Sequence, residues 1–105
     1  FDARQFSQVE KEIKEVDKRI KTLEADPDKL VEYMRDNPNA FAAVDFYNKS
    51  VNGDLREIRA EANRVRGDRT YTPKERKELL DNLTQMSNLI KRNMLMNFET
   101  LGYTP

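Results

Sequence analysis

From Phe6 onward the apolar residues Phe6, Val9, Ile13, Val16, Ile20 and Leu23 recur at alternating steps of three and four, which is the spacing of an a/d helical seam. Almost every residue between them is charged. Glu10 with Lys14, Glu15 with Arg19 and Asp17 with Lys21 stand acid before base at i,i+4, each pair worth about 0.2–0.5 kcal/mol. The seam runs for less than three heptads, so a helix over about residues 3–25 is marginal alone and has to bury this stripe against something else.

The next elements are set by punctuation. Asp26-Pro27 ends the first helix and starts a second, about 27–35, with Asp26 as N-cap, Pro27 at the first helical position and Leu30, Val31 and Met34 on one side. Asn37-Pro38 is a second break. Beyond it Phe41, Val44, Tyr47 or Asn48, Val51, Leu55, Ile58, Ala62 and Val65 repeat at helical spacing, predicting one long helix over about 38–66, roughly 42 Å at 1.5 Å per residue. Gly53 lies inside it and costs roughly 1 kcal/mol against Ala, so a bend or a close neighbouring backbone is expected there. Gly67-Asp68 closes this helix, and Thr72-Pro73-Lys74-Glu75 is a capping box with proline in the first turn. The last helix is predicted over about 73–101, with Leu79, Leu80, Leu83, Met86, Ile90, Met94, Asn97, Phe98 and Leu101 facing inward and Gly102 ending it. A connector of about five residues makes its flanking helices antiparallel neighbours. The expected fold is all-α, a single domain over 1–105: an elongated antiparallel helical hairpin with an additional N-terminal coiled-coil-like helix, together a three-helix bundle. The chain opens FDARQ, without Met, and runs straight into helical pattern, which fits one piece of a longer polypeptide.

Composition narrows the chemistry. With no His, Cys or Trp, thiol catalysis, His-based acid/base chemistry and zinc-finger spacings have no residues to use. Paired carboxylates exist, but Asp26 and Asp28 flank a helix start and Glu75 and Glu78 lie in a first turn, where caps and the helix dipole want negative charge. No enzyme activity, cofactor or metal is expected. Nineteen Lys+Arg cancel nineteen Asp+Glu, so no global field steers the chain to an anionic partner. No apolar run approaches the roughly 20 residues of a membrane span.

Two sets of residues are candidates for binding. Phe41, Phe46 and Tyr47 near the start of the long helix, and Met94, Met96, Phe98 and Tyr103 at the end of the last one, meet at one end of an antiparallel hairpin, either as a closing core or as a partner-binding surface. Phe41, Phe46 and Tyr47 cannot all face one groove, since Phe41 and Phe46 stand about 140° apart on a helix, so at least one of the three is expected to stay available outside. The second set is Arg56, Arg59, Arg64, Arg66 and Arg69, a nucleic-acid reading weakened by the interleaved Asp54, Glu57, Glu61 and Asp68.

The stretch from Gly53 through Met94, LREIRAEANRVRGD followed by a brief turn and TPKERKELLDNLTQMSNLIKRNM, resembles the helical-hairpin segments of very large phage polyproteins, the large polyvalent protein-associated domains, and is similar to pieces of internal virion or ejection proteins of short-tailed phages. The resemblance implies a structural or assembly role inside a virion, with protein partners: homo-oligomeric copies, or portal and core proteins. It carries over no catalytic residue. Two other roles compete with it, a cytoplasmic coiled-coil adaptor whose first-helix seam pairs with a partner helix, and a nucleic-acid-associated module using the arginine-bearing helix.

Overall fold

The computed structural model describes residues 1–103, and among these every regular element is helical. Helix α1 spans Ala3–Leu23 and is started by Asp2, whose carboxylate accepts the Arg4 amide at 2.9 Å. Helix α2 spans Pro27–Asp36, with the Asp26 carboxylate accepting from the Lys29 amide. Helix α3 spans Ala40–Phe46 and passes through a π-helical segment, Tyr47–Asn52, directly into α4, Gly53–Gly67. Helix α5 spans Pro73–Leu101.

The long element expected over 38–66 is thus three pieces. It begins at Ala40 because Asn37-Pro38 is spent in a turn closed by the Ala40 amide on the Asn37 carbonyl, 3.1 Å. The irregularity expected at Gly53 lies just before it, as the wider π turns. A Cβ on Gly53 would meet nothing within 4 Å, so no backbone approaches there.

The α5 start is built as its sequence demands: the Glu75 amide donates to Thr72 Oγ1 at 3.1 Å and the Thr72 amide to Glu75 Oε1 at 3.0 Å. The five-residue connector before it is held by Arg76, whose guanidinium donates to the carbonyl of Asp68 at 3.0 Å. At the far end Gly102 takes φ +67°, and the Tyr103 amide turns back to the Phe98 carbonyl at 2.9 Å, a glycine-dependent stop. Asn39 donates its side-chain amide to the Leu101 carbonyl at 2.9 Å, which fixes the start of α3 beside the end of α5.

Packing follows the apolar rows. Helices α4 and α5 lie along each other, and α1 packs on α3, α2 and α5. Phe6, Ile13 and Ile20 of the α1 seam are buried with Ala43, Val44, Tyr47, Val51, Leu55, Met94 and Phe98, while Val9 and Val16 pack half-buried against this core. The molecule measures 58 × 27 × 18 Å with a radius of gyration of 17.3 Å, against about 13 Å for a compact domain of this length.

Two rows do not face as expected. In α2 it is Leu30 and Tyr33 that pack against the core, leaving Val31 and Met34 exposed. Arg19 of α1 lies 5.6 Å over the Tyr33 ring, a cation–π contact that accompanies this rotation. In α5, Met86 and Leu101 are exposed rather than inward. At 100° per residue Met86 stands about 80° from Met94 and about 120° from Phe98, outside the arc that α1 and α4 cover.

Candidate functional site

The aromatic and methionine set does converge at one end of the molecule, and most of it is core. Tyr47, Met94 and Phe98 are buried, and Phe41, Phe46 and Tyr103 pack half-buried against them. Tyr103 meets Phe98 edge-to-face with ring centroids 5.4 Å apart, and burial pushes its phenol up to about 12. Tyr47 donates its hydroxyl to Glu10 Oε2 of α1 at 2.8 Å. Burial, then the hydrogen bond to this carboxylate, keeps Tyr47 neutral well beyond the ordinary phenol range. Of the seven residues proposed for partner contact, Met96 alone is exposed. Phe41 and Phe46, about 140° apart on the helix, are each half-buried against this core, so each ring has one side on the core and keeps part of its surface outside. The α1 seam is used up internally, so the surface a coiled-coil adaptor would need is the one that holds α1 to the rest of the chain.

The arginines separate into two groups that their order in sequence conceals. At 100° per residue Asp54, Glu57, Glu61 and Asp68 fall within about 60° of one another, and Arg59 and Arg66 lie together roughly 160° away. Arg64 belongs to the acidic side. It grips the Glu61 carboxylate with two guanidinium nitrogens, one at 3.0 Å, and reaches Asp68 at 3.6 Å. The hydrogen bond from Arg64 holds Glu61 below the usual carboxylate range, and Asp68 is lowered mainly by the Thr70 hydroxyl and amide. All five arginines are exposed.

The feature that periodicity alone missed is the outer face of α5. Asn82, Gln85, Met86, Leu89, Asn93, Met96 and Thr100 are all exposed and share an arc of about 100° opposite the buried Met94 and Phe98. Leu89 is 61% exposed, Met96 57% and Met86 51%. In a chain whose residues are 36% charged, this stripe carries no charge over about 27 Å of helix. The sequence carries it as a second row, Asn82, Gln85, Leu89, Asn93, Met96 and Thr100, at steps of three and four, in which only two of the six residues are apolar.

Among the described residues no helix is long and apolar enough to cross a membrane, and no group of three or more Asp or Glu side chains is placed to hold a metal ion. No known protein family, curated protein or solved structure matches the chain.

Proposed function

We propose that this chain is a non-enzymatic assembly module: an elongated hairpin of α3–α4 against α5, with α1 laid on it as the third helix of a bundle, docking through the outer stripe of α5 onto a second copy. The uncharged, exposed stripe carries the reading. A face of Met, Leu, Asn and Gln with no charge at its centre suits a helix partner, apolar residues supplying contact area and amides fixing register at some cost in strength.

The flank of the stripe favours a copy of the same chain. Lys74, Asp81, Arg92 and Glu99 are exposed along one edge of it. When two α5 helices lie antiparallel about a two-fold axis near residues 86–87, Lys74 meets Glu99 and Asp81 meets Arg92 on both sides of the axis, the self-complementarity an isologous contact requires. One helix face of this length buries less than the roughly 1,200 Å² of a stable interface, so single pairs are weak and gain strength by repetition in a larger assembly. The resemblance of the Gly53–Met94 segment to phage polyprotein hairpins supports a virion core or portal-associated assembly as the setting.

Sedimentation velocity over a concentration series tests this. The chain is expected to show reversible self-association at high micromolar concentration, and Met86→Asp with Leu89→Asp, both at exposed positions, is expected to abolish it with helicity intact. Asp81→Arg should weaken the pair, and adding Arg92→Asp should restore it. A chain that stays monomeric to millimolar concentration, or a double variant that associates unchanged, overturns the reading.

A further inference from the structure

Beside the contact between α4 and α5 runs a groove of about 420 Å³ whose lining includes Arg59, Arg66 and Lys91 and no carboxylate. The two arginines come from the side of α4 remote from its acids, seven residues and therefore about 10 Å apart along the helix axis, and Lys91 enters from α5. Among the described residues none of the three is in an ion pair, whereas Arg64 is held by two acids. Arg66 donates to the neutral Asn63 side chain at 2.9 Å. The Lys91 ammonium stands 5.2 Å over the Phe6 ring, which holds it without neutralising it. Ser87 and Asn88 add uncharged hydrogen-bonding groups to the lining.

We propose that this groove binds the phosphate backbone of duplex nucleic acid, without reading sequence. Unpaired guanidinium forks match phosphate geometry bidentately, and cations spread along about 10 Å of helix suit a repeating anion better than one compact ion. The lining contains no aromatic ring, so it lacks the stacking platform by which single strands are held. The proposal is independent of self-association through α5, whose stripe lies on another face of the helix.

The test is fluorescence anisotropy with a labelled 20-base-pair DNA duplex and the full chain. Three phosphate contacts give a slope of log K against log salt of about −2.7, so binding should weaken about 40-fold between 50 and 200 mM salt. Replacing Arg59, Arg66 and Lys91 together by Gln should remove saturable binding, and Arg64→Gln should leave it unchanged. Arg59→Gln and Arg66→Gln singly, both at exposed positions, should each flatten the slope by about 0.9, which keeps the test decisive if the triple variant does not fold. No saturable binding at 50 mM salt, a triple variant that binds as the parent does, single variants with the parental slope, or polyglutamate displacing the duplex at equal charge concentration overturns the proposal.

Discussion

Replacing Ile13 by Ala probes the central claim about α1, that its seam is core. Ile13 is fully buried in the core cluster that α1, α3, the π-helical segment, α4 and α5 share. The substitution removes three carbon groups, worth about 0.8 kcal/mol each in transfer, or about 2.4 kcal/mol. A residual cavity of about 50–80 Å³ adds between about 1 and 2 kcal/mol at roughly 24 cal/mol per Å³. The expected loss is therefore about 3.5–4.5 kcal/mol, a large part of the 5–15 kcal/mol that holds a typical domain together. Urea denaturation followed by circular dichroism at 222 nm measures it. With a slope near about 1.5 kcal/mol/M the midpoint should fall by roughly 2–3 M with the slope itself unchanged. Leu89→Ala, at a position 61% exposed, should stay within about 0.5 kcal/mol of the parent. A loss below about 1 kcal/mol for Ile13→Ala would refute the packing of α1 on the rest of the chain.

Thr72→Ala removes one half of the reciprocal cap at the start of α5 and should cost about 1 kcal/mol in the same assay; no loss would mean that α5 does not depend on this cap. Tyr47→Phe deletes the bond to Glu10 and should cost about 1.5–3 kcal/mol, as for a hydrogen bond to a charged acceptor. Tyr47, buried, and Tyr103, half-buried, ionise later in the folded chain than at the ordinary value of 10.0, so the folded state holds protons that the unfolded state releases. Stability should be unaffected by these groups below pH 10 and fall as pH rises from there toward 12. Helicity followed from pH 8 to 12 checks this, and Tyr47→Phe should make the decline shallower; equal declines would contradict the role given to Tyr47.

Local signals were legible. The capping box at Thr72 and the stop at Gly102 are each written within a turn of helix, and the structure reproduces them because backbone donors and acceptors at helix ends have few other partners; the α1 seam is legible for a different reason, since its steps of three and four persist from Phe6 to Leu23 and one apolar stripe has to be buried. The π-helical segment was not legible. The buried row Val44, Tyr47, Val51 and Leu55 keeps its steps of three and four through the segment, and no residue type in Tyr47–Asn52 announces the wider turns. The rotation of α2 toward Leu30 and Tyr33 was not legible either, since it depends on the core that other helices present to them. The candidate site is legible in part: Met96 stands out in the sequence, but apolar spacing alone puts Met86 on the inward row and leaves Leu89 without a face, because periodicity marks the one row that is buried and not a second, mostly polar row of α5.

Charge shows most clearly how an average misleads. Nineteen cations against nineteen acids removes any net field at long range, but what a ligand feels is set within a Debye length, about 8 Å at physiological salt. A helix with its side chains is about 10–12 Å across, so charges sorted to opposite faces of α4 are screened from one another. Arg64 neutralises the acidic side locally, through Glu61 and Asp68. Arg59 and Arg66, with no carboxylate in their groove, keep their charge available. A balanced composition therefore constrains the distant field of this chain and leaves its faces free to differ, one uncharged along α5 and one cationic between α4 and α5.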